Sequence, residues 1–438
     1  MSGFRRCRLS PRFVVFRKKA LVALVVVLGC RSASAGDLTP EEQRIVTAAD
    51  AAATAALPLL ERAVNIQSAT MNLAGVRAVG ALFRPQFERI GFTTRWAEMP
   101  AEMHRAGHLI AERTGTKGKR ILLIGHLDTV LEGKPFRRNG SRAEGPGTVD
   151  MKGGDVIVLA ALQALHDCGA LDDRRIIVVF TGDEEQAGLP IERSRADLLD
   201  AARRSDIALA FEAAVDDTAT VARRGVGSWW LTVGGAGGHS SGILQEPGAG
   251  AIYEAARILD AFRRELGGEK DLSLNPSLVL GGTEVEHDAE RSRGSAEGKT
   301  NVIAGRTIVE GDLRFLSDDQ KTRAHAKMSE IVARHLPRTS AEVVFADEYP
   351  AMAPKPANYE LLDAFDRASR DLGMGPVRAL EPTKRGAGDI SFVASFVACL
   401  DGIGASGEHS HRADEYADVD SISTQIKRVA LLLYRLTR

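Results

Sequence analysis

Cysteine is scarce in this sequence, with four in 438 residues. Cys7 and Cys30 both fall in the first 35 positions. Cys168 and Cys399 sit in apolar surroundings and read as small buried thiols; a disulfide framework is excluded. Net charge is equally sparse. Lys+Arg 57 against Asp+Glu 58 leaves −1, so no global basic excess points to nucleic acid or an anionic membrane surface. There is no internal repeat and no low-complexity tract. The apolar run Ala20–Gly29 is too short to stay in a bilayer as a helix.

That run has a different meaning. It follows "MSGFRRCRLSPRFVVFRKK", which carries seven basic residues and no acid, and it precedes "CRSASAG". Basic region, apolar core and small-x-small site are the order of a secretory signal. Residues 1–35 therefore read as a signal with cleavage before Gly36, and the mature chain as exported, periplasmic or secreted, with no stable membrane span. A lipoprotein signal retaining Cys30 is the alternative, poorly matched by "VLGC".

The remaining length and 44% hydrophobic content suit two or three globular domains. The segment from Leu38 to Arg62 has Thr39 as N-cap, Pro40 at the first position and acids in the first turn, which predicts a helix. "RILLIGHLDTV", "RRIIVVFTGDEEQ" and "RSDIALAFEAA" are short continuous apolar runs of buried-strand type, with the helical "GGDVIVLAALQALHDCG" between the first two. Strands alternating with helices at this spacing predict an α/β fold, a mostly parallel sheet with helices on both faces. After Val221 the pattern changes to β-α-β-β-α-β, the split unit of a small sandwich. It predicts an inserted domain at 221–350, between catalytic segments 36–220 and 351–438. "DAERSRGSAEGKT" (288–300) reads as a polar loop.

The chemistry-bearing residues cluster at strand ends. His126 and Asp128 close the first buried strand, and Asp150 lies in a glycine-rich turn before a helix. Glu184 and Glu185 follow the second strand, Glu212 the third, and His409 and His411 lie in a late loop. In open α/β sheets the carboxyl ends of the strands share one crevice. Carboxylates crowded there cannot all stay ionised without a cation. Imidazole plus carboxylate suits zinc and its neighbours. Two ions would sit about 3.5–4 Å apart and need a shared ligand, and Asp150 is the candidate bridge.

With "GHLDTV", "GPGTVDMKGG", "TGDEEQAG", Phe211-Glu212 and the histidine loop before "DEYADVD", the chain resembles the M20 co-catalytic zinc metallopeptidases, of the glutamate carboxypeptidase and acetylornithine deacetylase type. The resemblance implies that His126, Asp150 and Glu212 hold one metal, and Asp150, Glu185 and a late histidine the other. His411 fits the family spacing, and His409 is the alternative. It implies that Asp128 orients His126 and that Glu184 is the general base and acid. The metals would be two Zn²⁺, with Co²⁺ or Mn²⁺ able to suit the same site. The inserted domain would be a lid and a homodimer interface. His239, Asn301, Arg314 and Arg385 would bind substrate, although Ala304 stands where the family commonly has proline. For Arg314, an ion pair on a strand face is an equal alternative.

The implied activity is amide hydrolysis on a small peptide or N-acyl amino acid: a carboxypeptidase, with a deacylase or dipeptidase as alternatives. Two other classes compete. "GHSSG" matches the serine-hydrolase elbow, with Ser240, His411 and either Asp389 or Asp401 as a triad. A non-catalytic metal- or peptide-binding protein is the second, and against it Glu184 has no evident use.

Overall fold

The computed structural model describes residues 38–243 and 250–438; the signal read at 1–35 lies outside them. A six-stranded sheet forms the main layer. Its spatial order is Thr93–Ala97, His108–Arg113, Arg174–Thr181, Lys117–His126, Ile207–Ala210, Ala398–Leu400. The last four run parallel, and the first two pair antiparallel at one edge. The sheet is mostly parallel, with helices on both faces.

Alternation within each apolar run explains the burial. Side chains on successive strand residues point to opposite faces. Ile121, Leu123, Ile176, Val178, Phe180, Ile207 and Leu209 join one core, which contains residues of the helices Pro40–Val64, Leu73–Arg89, Lys152–Asp167 and Val419–Thr437. Leu122, Ile124, Ile177, Val179, Ala208 and Ala210 join the opposite core, beside Ala196–Arg203 and Ile390–Val393. Both faces are covered, so the strands are apolar throughout.

Local signals set the helix ends. Thr39 and Glu42 form a reciprocal capping box at the start of Pro40–Val64. Gly169, at φ 69°, follows Cys168 at the end of Lys152–Asp167. The helix Leu73–Arg89 and the two strands after it add to the elements anticipated from the sequence.

Residues 225–349 build a separate four-stranded antiparallel sheet, in the order Ser273–Gly282, Arg306–Phe315, Gly225–Gly235, Thr339–Tyr349. The helices Ala251–Leu266 and Asp318–Ala333 pack with it around Trp229, Leu231, Val309 and Phe315. This is the β-α-β-β-α-β order anticipated. The polar loop expected at 288–300 is instead largely a hairpin, Glu284–Asp288 with Arg293–Glu297. Every residue of the second strand is exposed, so no apolar alternation marked it. Among the described residues no helix is long and apolar enough to cross a membrane.

Phe180 is fully buried, and its ring meets Phe83 and Phe87 edge-on at 6.0 and 5.6 Å. Phe180→Ala should lower the unfolding free energy by about 3–5 kcal/mol, read as a fall in urea midpoint with an unchanged slope. Thr39→Ala should cost only about 1 kcal/mol through the lost cap.

Candidate metal centre and active site

The parallel strands end at one level. His126 is in register with Thr181, and Ile124 with Ala210. The chain beyond each strand therefore emerges at the same edge, bringing in Asp128, the acid loop 183–185, Glu212 and Asp401. A small sheet of its own carries the chain around the histidine loop. Tyr416–Asp418 pairs with Arg142–Glu144, and Gly407 and Glu408 pair with Ala417 and Tyr416. It ties the histidine loop to the chain leading into the Asp150 turn.

Glu415 makes that tie rigid. Its carboxylate accepts hydrogen bonds from the backbone N–H of Gly147 (3.0 Å), Val149 (2.9 Å) and Asp150 (3.1 Å). Burial pushes its pKa up to about 7, against the pull of those amides. The residue was missed as a functional group; its only trace in the sequence is the Glu-Tyr pair after the histidines.

His126 is 1% exposed at its side chain. Its Nδ1 lies 3.0 Å from the Asp128 carbonyl oxygen and 3.5 Å from that residue's carboxylate. The backbone carbonyl is thus the nearer partner for Nδ1–H. That leaves Nε2 as the free lone pair. The Asp128 carboxylate instead accepts from Thr70 Oγ1 (2.7 Å) and from the backbone N–H of Glu184 (3.0 Å) and Glu185 (3.1 Å). One side chain so joins the end of the first strand to the acid loop of the second.

The predicted ligands converge. His126 Nε2 faces Asp150 Oδ1 at 3.3 Å and Glu212 Oε1 at 3.8 Å. His411 Nε2 lies 3.2 Å from Asp150 Oδ2 and 3.2 Å from Glu185 Oε2. Asp150 contacts both histidines, one through each oxygen. His409 turns away, with Nδ1 2.9 Å from Asp414 Oδ2. Donor atoms of His126, Asp150 and Glu185 all lie within 4.8 Å of one another, as do those of His126, Glu184 and Glu212.

The electrostatics are those of crowded, buried carboxylates. Burial raises Glu184 well above the carboxylate range, raises Glu185, and pushes Glu212 up to about 7. Burial would raise Asp150 too, but its contacts with His126 and His411 outweigh that and hold it low. Hydrogen bonds to Asp150 and Glu185 push His411 up to about 10. His126 Nε2 is buried and has no hydrogen-bond partner. A buried imidazole nitrogen facing carboxylate oxygens fits a divalent ion.

Of the other named residues, His239, Asn301 and Arg314 belong to the second sheet and its loops, and Arg385 borders this cluster. His239 bonds Ser241, and Ser240 N–H donates to Asn301 O at 3.0 Å, so His239 and Asn301 are neighbours at one end of the second sheet. Arg314 donates to Asp312 at 2.8 Å, two residues away on the same strand face. Arg385 points at the Ala213 carbonyl, immediately beyond Glu212. The serine triad is not assembled. Asp389 is paired with Arg195 at 2.7 Å, Asp401 with Arg223 at 2.5 Å, and His411 with the acids above.

A match to Peptidase family M20/M25/M40 spans residues 122–435. The chain belongs to that family. Carboxypeptidase G2 of Pseudomonas sp. (strain RS-16) is 25% identical over 389 residues, covering 86% of this chain and 88% of its own. A succinyl-diaminopimelate desuccinylase of Novosphingobium aromaticivorans is 26% identical over 401 residues, covering 86% and 96%. Among solved structures, aminopeptidase PepT of Bacillus cereus superposes with TM-score 0.70 at 17% identity, over 88% of this chain and 99% of that one. The Bacillus subtilis YXEP protein, described as a dinuclear metal-binding peptidase of family M20, gives 0.62 at 14% identity, over 88% and 99%. This M20 chain is therefore a hydrolase, and its His, Asp and Glu donors form groups that could hold metal.

In the metal-free M20 protein His411 carries a proton at neutral pH. Its pKa is raised, so its stabilising contribution is full below about 6.5 and is lost as pH rises through about 10. Metal must displace that proton. Metal affinity should therefore rise with pH up to about 10, with proton release on binding measurable by calorimetry in buffers of different ionisation enthalpy. His411→Ala should bind less metal by elemental analysis, and His409→Ala should match the parent.

Proposed function

We propose that this chain is an exported di-metal amidohydrolase that releases a C-terminal amino acid from a small peptide. The observation that carries the reading is the place of Glu184. Its carboxylate shares a cluster with His126 and Glu212, while Asp150 and Glu185 are the acids in contact with His411. An acid beside the ligands, and additional to them, is what a hydrolase needs and a binding protein does not.

His126, Asp150 and Glu212 would hold one ion, and Asp150, Glu185 and His411 the other. Zinc is the metal we favour, with cobalt or manganese suited to the same donors. When bound, such a pair supplies Lewis acidity toward the scissile carbonyl and lowers the pKa of water. The chain supplies the proton traffic. Glu184 takes a proton from the attacking water and returns it to the leaving amine. Its backbone N–H is pinned to Asp128 at 3.0 Å, which fixes where the carboxylate starts. Arg385 stands beside Glu212, where a substrate oxyanion or carboxylate would be met. His239, Asn301 and Arg314 belong to the second sheet and would contribute across the cleft or from a partner subunit.

The name of carboxypeptidase G2 favours C-terminal release, and the name of the desuccinylase favours an N-acyl amino acid. The site residues accommodate either substrate class. Export is supported by the order of charges and apolar residues in 1–35. Dimerisation through the second sheet is supported by its edge strand Ser273–Gly282, where Val279 is exposed beside the exposed Ile252 and Tyr253 of the adjoining helix.

Glu184→Ala should keep two metals by elemental analysis and lose about 10²–10⁴-fold in kcat on a panel of C-terminal Glu, Asp and N-acyl substrates. Full retained activity with both metals bound would overturn the mechanism. Val279→Asp should shift the sedimentation coefficient toward a monomer; an unchanged coefficient would exclude this interface.

A further inference from the structure

The strands that lead into and out of the four-stranded sheet cross beside the acid cluster. Arg223 and Met352 exchange backbone hydrogen bonds at 3.0 Å in both directions. Each crossing segment carries one side chain that reaches the centre. On the outgoing side, Arg223 places Nη2 3.8 Å from Glu212 Oε2, while its Nε and Nη1 bond Asp401 and the Ala387 carbonyl at 2.5 Å each. On the returning side, Tyr349 donates its hydroxyl to the backbone carbonyl of Glu184 at 2.8 Å.

We propose that Tyr349 is a positioning residue that couples the orientation of the four-stranded sheet to the geometry of Glu184. Tyr349 is the last residue of Thr339–Tyr349, in register with Val226 of the neighbouring strand. It therefore moves with that sheet. Its ring rests on Phe392 at 5.0 Å, and Arg195 Nη2 reaches its hydroxyl at 3.4 Å. The same guanidinium bonds the Asp183 carboxylate (2.6 Å) and the Asp183 carbonyl (3.1 Å). The acid loop is thus held from two directions. Asp128 grips the Glu184 N–H from the parallel sheet, and Tyr349 grips the next carbonyl from the other sheet. Fixing both backbone groups of one residue limits its φ and ψ, and so the direction of its side chain. A rotation of the four-stranded sheet either drags the Glu184 peptide or breaks the bond. Arg223 gives Glu212 a parallel tie to the outgoing segment.

The inference rests on Glu184 as the general base, and the test separates the two. The full chain as purified is compared with Tyr349→Phe, which removes only the hydroxyl. The control is Ser228→Ala, which removes a hydroxyl bonded to Glu348 in the same sheet. Tyr349→Phe should speed amide exchange at Glu184 and Glu185 by about tenfold and lower kcat by about tenfold, with KM within about twofold. Ser228→Ala should do neither. Exchange unchanged in Tyr349→Phe, or exchange faster with kcat intact, would overturn the coupling. A parent protein that hydrolyses none of the substrates would overturn the functional reading, while a normal exchange rate in Tyr349→Phe would still count against the coupling alone.

Discussion

Repulsion among buried carboxylates is the constraint around which this molecule is organised. Asp128, Asp150, Glu184, Glu185 and Glu212 are drawn to one sheet edge by strands whose own residues are apolar. Like charges this close cannot all ionise in a poorly solvated site. Without metal, protons relieve the strain: Glu212 titrates near neutrality, and His411 holds its proton far above the usual imidazole range. Backbone amides carry the rest, on Asp128 from the acid loop and on Glu415 from the Asp150 turn. Divalent cations would take over the charge balance that protons otherwise supply.

The scaffold answers this constraint through rigidity. Two apolar layers fix the strands, and the strands fix the level at which each donor leaves the sheet. Side chains that are not donors then link the emerging loops to one another. Asp128 joins two strand ends, Glu415 joins the histidine loop to the turn, and Arg195 secures Asp183 against Asp389 with all three buried. Such buried pairs contribute little net stability when intact, but a lone member left behind would be costly. Their evident return is geometric.

The donors were legible in the sequence because a parallel sheet sends every carboxyl end to one edge; apolar runs ending in His or Glu therefore announce a shared site. The parts that escaped detection work through backbone groups. Glu415 acts on amides and Tyr349 on a carbonyl. A side chain whose partner is the main chain leaves no complementary letter elsewhere in the sequence. The hairpin 284–297 escaped for a different reason, since a ribbon solvated on both faces has no apolar period. Asp128 shows an intermediate case. Its place beside His126 was clear, but its carboxylate is largely taken up by two amide groups more than fifty positions away.

Glu415 carries a consequence for biogenesis. Its three amide partners lie 265 to 268 positions earlier in the chain. An elongating polypeptide thus carries His126, Asp150, Glu184, Glu185 and Glu212 across the whole of the second sheet's synthesis with neither Glu415 nor His411. Completion of the donor cluster is deferred to the segment that carries His411 and Glu415, and a product terminated before it would lack both.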